Sequence, residues 1–353
     1  MKRILIYLFI ASSFLFVACT NGSQTEKVKV GVLMPLTGDI AFLGQSFTNA
    51  ILMNVDTSKV ELFIQDTQGE PKVAVNILNQ MLATKKIDVV VSLKPAVSES
   101  INPILEVKSI PHFVFAFSPE ITLANNVIKQ YPSSDDEVLN YLSYAETHNV
   151  KNIVFLRHMF PDAELAFKTI VEPKSKEMGI TVTDIPFDLS TKDFNNLANK
   201  VKSYNPELIV VQSLSYNFLN IVKSFYHAGI LDKMLGDLNF GDLYTYDFTT
   251  VKEMDNIPFL GLSYVLSDEY KIFEAKYLEQ YGEKPNIFDA NQYYVMTIIN
   301  NIDKSGMTKE DIIKYYQENI IKGVTGRMWY DPQGDQIIEY EILKYHNGIF
   351  IKE

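Results

Sequence analysis

Residues able to do chemistry are sparse and scattered along these 353 residues. The five histidines (His112, His148, His158, His227, His346) form no HExxH and no close pair, a poor donor set for a catalytic metal. The single cysteine, Cys19, excludes internal disulfides and cysteine-rich zinc or iron–sulfur sites. GxSxG, P-loop, GxGxxG and EF-hand patterns are all missing, and Gly38 and Gly44 have the wrong spacing for a dinucleotide fingerprint. Two acidic groupings remain. Asp135-Asp136-Glu137 could pair carboxylates for proton transfer. Ser133 and Ser134 precede them, however, and acids in a first helical turn complement the helix dipole. Asp331 to Asp335 reads as a turn before it reads as a metal site. Neither a metal nor a cofactor is expected. Twenty tyrosines and 22 phenylalanines form a heavier signal. Most suit a core, but Phe42, Phe160, Tyr216 and Phe240 fall in loops beyond the carboxyl ends of strands, where open α/β sheets bind ligands.

The elements that must position these residues alternate. Apolar or β-branched runs at Val28–Leu33, Val60–Gln65, Val89–Leu93, Phe113–Phe117, Ile153–Leu156, Ile180–Pro186 and Leu208–Val211 predict strands. Helical spacing lies between them at 44–54, 71–85, 101–107, 162–178, 193–204 and 216–227. Such units imply parallel sheets with helices on both faces. There are too many for one compact sheet, so the fold class is α/β, with two doubly wound parallel-sheet lobes. After about residue 262 three helices follow in succession, at 268–281, 286–304 and 308–319, with Gly306 as a stop and Thr308 as an N-cap. Two strand-like runs, 328–330 and 337–345, then flank the turn at 331–335.

Composition sets the compartment. A formal net charge of −11 argues against a nucleic-acid surface, which needs basic patches. Lys2 and Arg3 precede an apolar run from Ile4 to Phe16, too short for a membrane span and suited to a secretory signal peptide. Phe16-Val17-Ala18-Cys19 resembles the lipobox of bacterial lipoproteins, although Phe16 stands where leucine is usual. The resemblance implies acylation of Cys19, as with palmitate, and an anchor in a lipid bilayer. Residues 1–18 would be the signal peptide and 19–27 a flexible tether.

Several motifs together point to a family. Val30-Gly31-Val32-Leu33-Met34-Pro35-Leu36-Thr37-Gly38 with Ala41-Phe42-Leu43-Gly44 resembles the start of the branched-chain amino-acid (Leu/Ile/Val) binding proteins of ABC importers. These are type I periplasmic binding proteins. Gln65 to Pro71, Ile110-Pro111 with Ala116-Phe117-Ser118-Pro119, Lys284-Pro285 through Tyr293, and Gly323-Val324-Thr325-Gly326 through Asp335 resemble later family segments in the same order.

The resemblance implies three crossovers, near Ser134, Leu262 and Asp335. Lobe 1 would then be 28–134 plus 262–334, and lobe 2 would be 135–261 plus 335–353. A ligand would close them like a hinged clamp. It further implies a ligand carboxylate held by Ala96, Ser98, Ala116 and Ser118 in lobe 1, with Ala96 replacing a usual hydroxyl. In lobe 2 it implies Phe160 and Tyr216 as aromatic walls, the family's tyrosine position itself being Leu214. The acid for a ligand ammonium would fall near Leu238, with Asp237 or Asp242 as substitutes. The expected function is a non-enzymatic extracytoplasmic lipoprotein that delivers an amino acid or small organic acid to an ABC permease. The expected partners are the small ligand, the permease and the bilayer, and the chain is expected to be a monomer. An alternative is a sensor subunit acting with a separate membrane receptor.

Overall fold

The computed structural model describes residues 26–115, 121, 123–188, 190–246, 252–302, 304, 307–318, 324–325, 329–347 and 349–353. The leader, Cys19, Ala116, Ser118 and Gly306 lie outside the described residues. Among the described residues no helix is long and apolar enough to cross a membrane.

The alternation folds into two sheets. The first contains β1 (Val28–Met34), β2 (Val60–Asp66), β3 (Val89–Leu93), β4 (His112–Phe115) and β5 (Val127–Lys129). Their order is β2-β1-β3-β4-β5 and every pairing is parallel. Their near-continuous apolar residues are buried, as expected of strands covered on both faces. Helices α1 (Ala41–Asn54), α2 (Pro71–Thr84) and α3 (Pro95–Val107) connect them. Helix α3 starts six residues before the helical spacing suggests, because Pro95 occupies a first-turn position where its missing N–H costs nothing.

The second sheet holds β6 (Asn152–His158), β7 (Thr181–Phe187), β8 (Leu208–Gln212), β9 (Met234–Gly236), β10 (Pro258–Leu262), β13 (Tyr340–His346) and β14 (Ile349–Lys352). Their order is β14-β13-β10-β9-β8-β6-β7. The β10 to β7 portion is parallel, whereas β13 and β14 add an antiparallel edge. Between them run α4 (Ser134–Thr147), α5 (Pro161–Ala166), α6 (Glu172–Glu177), α7 (Asn195–Ser203) and α8 (Ser215–Ala228). A π-helical turn, Phe167–Val171, joins α5 to α6. Pro173 explains it, since proline donates no N–H and crowds the carbonyl four residues back.

The three late helices return to the first sheet: α9 (Asp268–Tyr281), α10 (Asp289–Asn301) and α11 (Lys309–Glu318). Asn54 Nδ2 donates to Tyr293 O (2.6 Å), and Asn300 Nδ2 donates to Asn54 O (2.7 Å), fastening α10 to α1. Thr308 caps α11 by accepting from Asp311 N–H (3.1 Å). The turn expected at 331–335 sits between β11 (Trp329–Tyr330) and β12 (Gln336–Ile337). The chain thus passes between the sheets after β5, after β10 and after β12.

These passages are tied together. Pro132 bridges to Gln336, and fully buried Lys129 pairs with Asp335 at 2.6 Å. Gly334 has φ +89° and its Cα lies where a Cβ would meet Val127 O at 2.5 Å, so glycine is required at this crossing. Gly44 is required for contact instead, since a Cβ there would meet Pro35 O at 2.1 Å. It lets α1 seat against the Pro35–Gly38 turn. Asp66 holds that turn from the other side, accepting from Leu36 N–H (2.8 Å), Thr37 Oγ1 (2.6 Å) and Gln68 N–H (2.8 Å). Burial works to raise the Asp66 pKa, but these donors outweigh it and hold the carboxyl below its usual range.

Candidate functional site

Three adjacent parallel strands of the second sheet end side by side. β6 ends at His158, β8 at Gln212 and β9 just before Asp237. All three side chains line one pocket. Its other walls come from Tyr131 in the first crossover, from Ser134 and Glu137 on α4, and from Phe160 and Ala163 where α5 begins. Leu214 and Asn239 complete it. This is the carboxyl-end position at which open α/β sheets bind ligands, set against the crossovers.

Asp237 is the most constrained group in the pocket. Its Oδ1 accepts from Asn239 N–H (2.9 Å), and its Oδ2 accepts from Ser213 N–H (2.8 Å) and Asn239 Nδ2 (3.3 Å). The first bond is local turn chemistry, an aspartate closing onto the backbone two residues ahead. Burial raises the Asp237 carboxyl pKa to about 8 against the pull of these donors. Leu238, next to it, is fully buried in the core, whereas Asp237 lines the pocket.

His158 and Glu137 are residues that sequence reasoning passed over. His158 is 8% exposed, its ring lies 3.9 Å from that of Phe160, and its Nδ1 has no hydrogen-bond partner among the described residues. Burial lowers its pKa to about 4, so the ring is neutral at pH 7. Glu137 belongs to the acidic triplet assigned to the helix dipole. Asp135 is exposed and Asp136 half-buried, and Ser133 Oγ caps the helix through Asp135 N–H (3.2 Å). Glu137 instead shares the buried face of α4 with Val138, Tyr141, Leu142 and Ala145. Tyr131 Oη donates to Glu137 Oε1 at 3.3 Å. An acid on the apolar stripe of an amphipathic helix was the available signal.

Two further acids are buried. Asp242 Oδ2 accepts from Ser215 Oγ (3.2 Å), and Asp289 on α10 accepts from Asn286 N–H (2.7 Å) and from the Ser46 hydroxyl. Burial raises the two carboxyls to about 7 and about 8.

Residues expected of the first lobe fall elsewhere. Ala96 is exposed in the first turn of α3, and Ser98 in the same turn is fully buried. Ser98 Oγ lies 2.7 Å from Ser92 Oγ, Ser92 Oγ lies 2.7 Å from His112 Nε2, and His112 Nδ1 lies 2.9 Å from Asn102 Oδ1. Burial depresses the His112 pKa to about 3. The neutral ring therefore donates from Nδ1 to Asn102 and accepts at Nε2 from Ser92. A hydroxyl, an imidazole and an amide in series have the order of a nucleophile relay, but all four side chains are sealed in the core. They fasten α3 to β3 and β4. Phe42 and Tyr216, 50% and 53% exposed, stand outside the pocket lining. Phe240 packs in the core edge-on to Phe218. Phe160 and Asp237 are the expected ligand residues that the structure brings together.

Comparison with known proteins agrees with this architecture. No curated protein sequence matches the chain. A leucine-binding protein from Thermotoga maritima superposes with a TM-score of 0.76 at 21% identity, over 92% of this chain and 97% of the other. A branched-chain amino-acid transporter substrate-binding protein from Streptococcus pneumoniae, in complex with isoleucine, gives 0.71 at 20%, over 92% and 98%. A solute-binding protein of an ABC transporter from Rhodopseudomonas palustris, in complex with 3,4-dihydroxybenzoic acid, gives 0.78 at 17%, over 92% and 95%. At these identities the likeness is one of fold, the type I periplasmic binding protein fold. The periplasmic binding protein family model matches residues 27–336, and the chain belongs to that family.

Proposed function

We propose that this member of the periplasmic binding protein family is an extracytoplasmic lipoprotein, anchored through acylated Cys19, that captures a small amine-bearing solute and hands it to an ABC permease. Lobe 1 is taken as 28–134 plus 262–334 and lobe 2 as 135–261 plus 335–353. The crossovers between them act as the hinge, and no covalent step is required. One observation carries the reading: Asp237 stands at the carboxyl end of β9, buried, held by two backbone N–H groups and facing a pocket. A carboxylate so held has its geometry fixed before the ligand arrives, which lowers the entropy lost on binding. Its strongest available partner is a cation.

An organic acid without an amine is the weaker occupant. Among the described residues neither Lys nor Arg lines the pocket, and the nearby Arg157 is engaged by Asp184 through two bonds of 2.9 and 2.8 Å. A ligand carboxylate would therefore meet acids in lobe 2 without a counter-charge.

Thermal unfolding of a soluble form beginning at Thr20, against leucine, isoleucine, valine, benzoate and 3,4-dihydroxybenzoate, tests this. A ligand at 100 times its Kd adds about 2.7 kcal/mol and moves the midpoint by several degrees. A shift with the amino acids supports the reading. A shift with the two acids alone removes the amine from it, and no shift with any compound removes the solute class. Lipid labelling that persists in Cys19→Ser would remove the anchor.

A further inference from the structure

We propose that His158 makes the pocket selective for amine-bearing solutes with a second, uncharged hydrogen-bonding group, such as hydroxyl or carboxamide amino acids, over their apolar counterparts. This rests on the solute-binding reading above and specifies its ligand class.

The strand order sets the polar groups in a row. β8 lies between β6 and β9, so Gln212 stands between His158 and Asp237. Val211 pairs with Gly236 and Arg157 with Gln212, so Gln212 is level with Asp237 and His158 lies one residue beyond them. Neighbouring strands are about 4.8 Å apart, which puts the backbones of His158 and Asp237 about 10 Å apart. Both side chains line the space between, and that span suits a small solute. An amine at Asp237 then directs the rest of the solute past Gln212 toward His158.

Burial alone does not account for the state of His158. His112 is buried as well, and both of its ring nitrogens are paired, one with Ser92 and one with Asn102. His158 is over nine-tenths buried, packs against Phe160 with ring centroids 3.9 Å apart, and makes no hydrogen bond at Nδ1 among the described residues. A neutral imidazole carries one donor and one acceptor nitrogen, so Nδ1 can pair with a hydroxyl or a carboxamide in either tautomer. Gln212, also buried, adds a donor and an acceptor along the same path. An aliphatic side chain in that place leaves Nδ1 unpaired, and an orphaned buried polar atom is costly. Neither the neutral ring nor the Gln212 amide supplies a charge, which is why the second group is an uncharged one.

Calorimetric titration of the purified protein with two shape-matched pairs, L-threonine with L-valine and L-asparagine with L-leucine, tests this. Within each pair the side chains are close in size and differ in hydrogen-bonding capacity. In at least one pair the polar member should bind about tenfold or more tightly, the value of pairing one buried polar atom. His158→Phe keeps an aromatic ring and removes both nitrogens, so that ratio should fall toward unity or reverse. The melting temperature of the variant reports whether it is folded, and the wild-type ranking decides the matter without any variant. A smaller ratio in both pairs, or an unchanged ratio in folded His158→Phe, overturns the proposal. If valine or leucine binds and the polar members show no such preference, the solute-binding reading stands and this one falls. If none of the four binds, both fall.

Discussion

The two sheets share a winding rule and use the polar residues at their carboxyl ends in opposite ways. In the first sheet, Ser92 on β3 and His112 on β4 turn inward and join Ser98 and Asn102 in a closed series of hydrogen bonds. Lys94, just past β3, donates to Gly69 O at 2.6 Å and closes a loop. In the second sheet, His158, Gln212 and Asp237 occupy comparable positions and line a pocket, with the His158 Nδ1 unpartnered. A buried polar atom without a partner costs free energy. At these strand ends the first sheet avoids that cost by pairing Ser92 and His112 internally, while the second sheet leaves it at His158, where a ligand can offset it. The same winding thus yields fastened strand ends in one sheet and receptive ones in the other.

The contrast can be broken most directly at Asp237. Asp237→Asn keeps the shape and removes the charge, so affinity for an amine-bearing ligand should fall by about a hundredfold, in line with losing one member of a buried charged pair. The midpoint without ligand should hold or rise. Calorimetry and unfolding on the same variant check both, and undiminished affinity would remove Asp237 from the site.

Ser92→Ala should do the reverse. It leaves His112 Nε2 and the Ser98 hydroxyl unpaired in the core, costing about 1–3 kcal/mol in denaturant unfolding, with ligand affinity unchanged. An affinity loss as large as that of Asp237→Asn would mean that the strand ends of the first sheet take part in binding.

The receptive side should also show in pH dependence. Asp237, Asp242 and Asp289 have folded pKa values raised by burial to about 8, 7 and 8. An unfolded aspartate titrates near 3.9. Between those limits the folded state binds more protons than the unfolded state, so stability is greatest at the acid end and falls as pH rises. Between pH 6 and 7 these acids should cost the free protein about 3–4 kcal/mol per pH unit, of which buried His112 and His158, which bind fewer protons folded than unfolded, offset about 1 kcal/mol. A cationic ligand, by favouring the ionised acid, should bind more tightly over the same rise. Stability that climbs with pH would contradict the burial of these acids.

The smallest effect is expected at the exposed aromatics. Tyr216→Ala and Phe42→Ala should change stability by less than about 0.5 kcal/mol and affinity by a few-fold at most, read by the same titrations.

Much of the architecture was legible without coordinates. Continuous β-branched runs such as Val89-Val90-Val91 mark strands covered on both faces, and the family motifs fix the order of the crossovers. Ser133 and Thr308 announced helix starts because capping is local chemistry. The start of α3 was hidden, since Pro95-Ala96-Val97-Ser98 reads as loop by composition while Pro95 is in fact a helix opener. The antiparallel edge of the second sheet was hidden too, because β10 and β13 pair across more than 70 residues and no local pattern encodes that partnership.

The site divides along the same line. Sequence by itself determined which residue types were available: an acid near position 238, an aromatic at 160, and a hydroxyl series after β3. Only the tertiary structure decided their direction. It turned Asp237 toward the pocket and Leu238 into the core, turned Ser98 toward Ser92, and drew Glu137 from a helix-capping triplet into the pocket. The reason is that local bonding fixes where a helix or strand begins, whereas the face a side chain presents depends on what packs against its element. That packing is set by residues distant in the chain.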